Sequence, residues 1–201
     1  MKKSIAKKII CSMLVLSPIL SSVSIVHGAD LNPTDINNEI NTQMDNEQLI
    51  ENGIYTIGTY IRPENVFQVS RSTERHVIVN PFENLSNQQW KIEYDKSKGA
   101  YQILTQDSLP DQVLAWNRHY DNYANDIFCT PNMNYDEHYW LIEKAADDVC
   151  YIIRSYADPN YVLDLTDYSP EKGTKIGIIK KHDDTSGLAR AQFFHFNKIE
   201  G

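Results

Sequence analysis

The chain has 201 residues, 23% of them charged, and a formal net charge of −8. An acidic balance without a basic stripe makes a poor partner for nucleic acid or for anionic membranes. The length fits one domain and leaves little room for a catalytic module beside it.

Lys2, Lys3, Lys7 and Lys8, the apolar run from Ile9 to Leu20, and Val26-His27-Gly28 read as an export signal over residues 1–28. Pro18 breaks the run, which falls short of the ~20 residues of a membrane span, so the segment is expected to be cleaved. Cys11 lacks the small residues that precede a lipoprotein cysteine. Cleavage removes four lysines and no acids, taking the formal charge to −12, and leaves no membrane span. Residues 29–50 follow as a polar N-terminal arm. Ile36, Ile40 and Met44 at i, i+4 and i+8, with Thr34 or Asp35 as a cap, allow one docked helix there. A solvated arm is the other reading.

From residue 51 to residue 201 the pattern is one of short strands. Tyr55 and Ile57 alternate with Thr56 and Gly58, Val77-Ile78-Val79 is a short apolar run, and Lys91-Ile92-Glu93-Tyr94 alternates again before the turn cluster Asp95-Lys96-Ser97-Lys98-Gly99. Short strands at ~8–12-residue intervals predict an all-β domain. Within it one phrase occurs three times: Pro63-Glu64-Asn65-Val66-Phe67, Pro110-Asp111-Gln112-Val113-Leu114 and Pro159-Asn160-Tyr161-Val162-Leu163. Each follows a strand led by Tyr55, Tyr101 or Tyr151, 46 and 50 residues apart, and each unit closes on Trp90, Trp140 or Phe194, 50 and 54 residues apart. Repeats of this length mark one supersecondary unit that cannot bury its apolar face alone. Three units of about 51–98, 99–147 and 148–201 closing around one axis form a β-trefoil with no open sheet edge at its core. The predicted core is Tyr55, Tyr101, Tyr151, Phe67, Leu114, Leu163, Trp90, Trp140 and Phe194.

The remaining side chains give no catalytic signature. Gly-x-Ser-x-Gly, His-Glu-x-x-His and Gly-rich phosphate loops are absent, and nothing cationic adjoins Cys129 or Cys150 to activate a thiolate. Those two cysteines either pair after export or remain two buried thiols. His182-Asp183-Asp184 and Asp136-Glu137-His138 lack the spacing of a closed metal site and read as loops. The chain is therefore expected to be no enzyme and to need no metal or cofactor. Trp116 takes a position held elsewhere by Val69 and Leu165, which argues for burial. The aromatic loop after it, with Tyr120 and Tyr123, has the composition of an interaction surface.

Gln88-Gln89-Trp90 closes the first unit, Gln192-Phe193-Phe194 keeps the Gln in the third, His138-Tyr139-Trp140 keeps the Trp in the second, and Val162-Leu163-Asp164-Leu165 precedes the last. Over residues 51–199 this resembles the ricin B-chain lectin family, whose Gln-x-Trp repeats build a β-trefoil. Members of that family are often receptor-binding or accessory parts of secreted toxins and haemagglutinins, or are appended to glycosidases. The resemblance implies a sugar site made of an Asp that accepts two hydroxyl protons, an aromatic platform and an Asn before the Gln-x-Trp. Here the Asp position holds Gln68, Ala115 and Asp164, the platform Asn80, Thr130 and Ile179, and the Asn position Asn87, Glu137 and Ala191. The third unit keeps the carboxylate, with Tyr168, His182 and Asp183 as replacements for the platform, and the first keeps Asn87. The expected protein is a secreted, extracellular glycan-binding trefoil, toxin-associated or adhesive, whose partner is a glycan or glycoprotein receptor. The alternative is a protein–protein subunit of a toxin complex that has lost its sugar sites.

Overall fold

A computed structural model describes residues 48–109, 111–118 and 125–200. The expected export signal, nearly all of the polar arm, and Tyr120 and Tyr123 lie outside the described residues.

Four strands make up each unit. The first contains β1 (Gly53–Thr59), β2 (Asn65–Val69), β3 (Val77–Pro81) and β4 (Trp90–Asp95). The second contains β5 (Ala100–Thr105), β6 (Gln112–Trp116), β7 (Ile127–Pro131) and β8 (Trp140–Lys144). The third contains β9 (Tyr151–Ser155), β10 (Tyr161–Leu165), β11 (Ile176–Lys180) and β12 (Phe194–Lys198). The outer strands of the units pair antiparallel in the cyclic order β1-β4-β5-β8-β9-β12 and back to β1, which closes a six-stranded barrel. The inner strands form three hairpins, β2–β3, β6–β7 and β10–β11. These meet through single bridges at His76–Phe128, Ile78–Lys175 and Asp126–Gly177. Three equivalent backbone bonds tie the triplet: Val79 N to Thr174 O, Cys129 N to Arg75 O and Ile178 N to Asn125 O, at 2.8, 3.0 and 3.1 Å. The expected all-β trefoil is the observed fold.

Repetition in sequence becomes symmetry in the core. Phe67, Leu114 and Leu163 are fully buried, as are the closing Trp90, Trp140 and Phe194. Trp90 Nε1 donates to Phe67 O at 3.1 Å and Trp140 Nε1 to Leu114 O at 3.0 Å. Phe194 fills the same place without a donor, so the ring supplies area and an edge contact with Phe67 at 5.0 Å instead. Tyr55 and Tyr101 are buried, but Tyr151 is a correction: it is half-buried, packed at the rim against Phe196. Ile50 joins the core, its N–H donating to Tyr101 Oη at 3.0 Å. Trp116 is buried at 7% exposure, its ring 5.0 Å from Tyr161. Cys129 and Cys150 are two free, buried thiols. Burial pushes each up to about 12, aided at Cys150 by the Asp147 carboxylate. Among the described residues no helix is long and apolar enough to cross a membrane.

Candidate functional site

In each unit a short 3-10 segment lies over the outer face of the second strand: Ser86–Gln88 over β2, Asp136–His138 over β6 and Gly187–Gln192 over β10. The last residue of each segment latches it to the strand end opposite. Glu83 N donates to Gln88 Oε1 at 2.8 Å, Met133 N to His138 Nδ1 at 3.3 Å and His182 N to Gln192 Oε1 at 2.9 Å. Both glutamines also donate, Gln88 Nε2 to Pro81 O and Gln192 Nε2 to Lys180 O, at 2.8 and 3.2 Å. The glutamine of the Gln-x-Trp phrase thus serves as a structural brace, and His138 performs the accepting half of its role.

Beneath each latch sits one strand residue with a different fate in each unit. Gln68, opposite Ile78, accepts from Gln88 Nε2 at 2.9 Å. Ala115, opposite Phe128, is apolar and buried. Asp164, opposite Gly177, is 4% exposed, and its Oδ2 is buried without a hydrogen-bond partner. Burial pushes the Asp164 carboxyl up to about 6, against the pull of a Gln192 hydrogen bond and of His182. Of three symmetry-related positions, the third alone holds a buried acid with an unsatisfied oxygen.

The sequence places four further candidates around Asp164 or at its counterpart, and they fare differently. Tyr168 and His182 do come together: Tyr168 Oη lies 2.9 Å from His182 Nε2, their rings 6.2 Å apart. Asp167 and Tyr168 both have φ of 56°, a left-handed conformation uncommon for non-glycine residues. That turn is what aims Tyr168 back across the hairpin. Asp183 serves its own loop instead, its Oδ1 accepting from Thr185 N and Thr185 Oγ1 at 2.9 and 2.6 Å. Asn87 belongs to the first unit, where its Nδ2 donates to Val69 O at 3.0 Å. Asn80, Thr130 and Ile179 occupy equivalent register positions opposite Val66, Val113 and Val162, as the alignment of the short strands anticipates. None is aromatic, and Tyr168 and His182 both lie within electrostatic reach of the Asp164 carboxylate. Gln192 completes the cluster, a role for which the sequence offers only the repeat position. Among the described residues no group of three or more His, Cys, Asp or Glu side chains is arranged to hold a metal ion.

Residues 86–179 match the family model described as ricin-type beta-trefoil lectin domain-like. Pierisin of Pieris brassicae is 29% identical over 154 residues, covering 73% of this chain and 16% of pierisin. The main hemagglutinin component type C of Clostridium botulinum C phage is 29% identical over 102 residues, 50% of this chain and 34% of that protein. The chain thus spans well under half the length of these relatives. A mosquitocidal holotoxin structure aligns with a TM-score of 0.68 at 26% identity, covering 76% of this chain and 18% of that one. The Macrolepiota procera ricin B-like lectin in complex with lactose shares the fold, with a TM-score of 0.61 at 17% identity over 76% of this chain and 99% of that one. The barrel and its three latched hairpins are a β-trefoil, and residues 86–179 within it match the ricin-type beta-trefoil lectin domain-like family model.

Proposed function

We propose that the protein is a secreted, non-enzymatic carbohydrate-binding trefoil that engages cell-surface glycans through its third unit, as a toxin-associated or adhesive factor. The observation that carries this is the unsatisfied Asp164 carboxylate beneath Gln192, with Tyr168 and His182 beside it. An ionised carboxylate accepts hydrogen bonds from two vicinal hydroxyls better than a neutral acceptor does, and an aromatic ring covers the apolar face of a sugar at low entropy cost. With 4% of Asp164 exposed, a hydroxyl reaches Oδ2 only after a neighbour gives way. We assign that step to opening of the Tyr168–His182 bond, which joins two loops. The lectin-like family match and the hemagglutinin and holotoxin relatives support the same reading.

A glycan array probed with the secreted protein and with Asp164→Ala is the test. Selective binding lost in Asp164→Ala is the expected result, and equal signal on every sugar overturns it. A second reading, a protein–protein subunit of a toxin complex, is favoured by the absence of an aromatic at Asn80, Thr130 and Ile179. A flat array combined with one stoichiometric protein partner co-purifying from the secreted material assigns that reading instead.

A further inference from the structure

A second polar groove, of about 430 Å³, lies on the first unit near its junction with the second. The β2–β3 loop supplies Ser70, Arg71, Ser72 and Arg75, and the segment before the Gln88 latch supplies Ser86 and Asn87. Asp107 and Ser108, from the loop after β5, form the far wall. Of the three sugar-site positions expected in this unit, Asn87 lines the groove, its amide already donating to Val69 O, while Gln68 and Asn80 are not part of the lining.

Arg75 is built in. Its φ is 52°, and its carbonyl accepts from Cys129 N in the hairpin triplet, so its backbone is tied to the centre of the fold. A side-chain nitrogen donates to Asp107 Oδ2 at 3.0 Å, while Nε is buried with no partner. A buried guanidinium N–H left unpaired forfeits a hydrogen bond that an incoming acceptor would restore. Arg71 is exposed and makes no ion pair or hydrogen bond among the described residues. Asp107 offsets one of the two charges. The next acid, Glu74, is held by its own backbone N–H and by Thr73 and Ser72, and lines a separate pocket beside His76. Hydroxyls of Ser70 and Ser72, 2.7 Å apart, complete a surface of donors.

Symmetry supplies an internal control. The corresponding groove between the second and third units is lined by Arg118, Asn134, Tyr135, Asp136, Glu137 and Ala157 among the described residues. There Arg118 donates to Ala157 O at 2.9 Å and sits 3.9 Å from Glu137, so its charge is already answered. Both acids of that lining stand where the first unit has Ser86 and Asn87. One scaffold position is therefore acidic and self-satisfied in one unit, and cationic with an unanswered donor in the other.

From this contrast we infer that the Arg71–Arg75 groove binds the oxyanion of an acidic saccharide, a carboxylate or sulfate group, at a place separate from Asp164. The saccharide part of the inference rests on the carbohydrate-binding reading above. The anion part stands on the groove itself. Guanidinium groups pair with both oxyanions in the same fork geometry, and hydroxyls suit the polar ring around them.

Calorimetric titration with 3′-sialyllactose, a sulfated disaccharide, lactose and sodium sulfate separates the possibilities. At least one acidic sugar is expected to bind, to weaken about tenfold or more in Arg71→Gln, and to bind Asp164→Ala unchanged. Arg71 has no partner to lose among the described residues, so an unchanged Tm is expected and Arg71→Gln tests binding alone. Sulfate binding without either acidic sugar overturns the saccharide assignment. Acidic sugars that bind no better than lactose, insensitively to Arg71→Gln and lost in Asp164→Ala, overturn the groove while leaving the third-unit site in place. Lactose binding lost in Asp164→Ala, with no acidic sugar bound, has the same meaning.

Discussion

Asp164 carries two consequences that pull in opposite directions. Its carboxyl is pushed up to about 6 in the folded chain, above the ordinary aspartate value of ~3.9 in an unfolded one. A raised folded value means that the native state holds the proton more tightly. Its stabilising share is complete below ~pH 4 and is lost as pH rises to about 6. Two units of difference correspond to about 3 kcal/mol at most. Asp164→Asn should therefore be more stable than the parent above pH 6 and close to it at pH 4, as urea titrations at the two pH values would report. An equal difference at both would remove the buried acid from the explanation. Sugar capture has the reverse requirement, because the ionised form is the better acceptor. Binding at the third unit should strengthen between pH 5 and pH 7.5, and the change should vanish in Asp164→Asn. A group that destabilises the fold yet occupies the centre of the candidate site is the pattern expected of a functional residue.

The latch between the third strand of each unit and its 3-10 segment is the element that the repeat uses three times, once imperfectly. His138 accepts from Met133 N, but only Gln88 and Gln192 also reach the carbonyl across the loop, at Pro81 and Lys180. Burial holds the His138 imidazole below the usual histidine range. A histidine lowered in the folded state stabilises above its ordinary titration and loses that share as pH falls through ~6.5 and below. His138→Gln should restore the missing donor, raise stability by about 1 kcal/mol at neutral pH, and flatten the acid side of the stability profile. Thermal melts of both proteins from pH 4.5 to 7.5 would check it; a lower Tm for His138→Gln at every pH would refute the equivalence of the three latches. The third latch spans ten residues where the others span five. Ser186 in the extra turn accepts from Leu188 N, and the loop carries the 3-10 segment over Asp164. Length in one loop thus separates the unit with a buried acid from its two neighbours.

At the scale of the whole molecule, the six-stranded ring makes the units mutually dependent. Each closing aromatic is fully buried and contributes to a core that all three share, so truncation in one unit should be felt in the others. Trp140→Ala should cost about 3–5 kcal/mol and lower a single cooperative transition, with tryptophan fluorescence and far-ultraviolet dichroism coinciding. Separate melting of the second unit would contradict a common core. How much of this was legible beforehand depends on the kind of residue. Tyr55, Phe67, Trp90 and their repeats announced the trefoil because burial demands the same apolar residue wherever symmetry makes the same hole. The platform positions were legible too, since strand register follows from matching the short runs. Other assignments escaped the sequence. Asp183 is turned into its own loop, Asn87 spends its amide on Val69 O, and Tyr151 stops at the rim. In the groove, Arg75 draws its partner from the next unit, 32 residues away. By itself the sequence determined the repeat, the core and the one unit that retains a carboxylate, because periodicity and hydrophobicity are properties of the chain read in order. Tertiary structure alone decided which polar groups are answered. Hydrogen-bond satisfaction depends on what a neighbouring strand, loop or unit brings within about 3 Å, and nothing local in the chain records that distance.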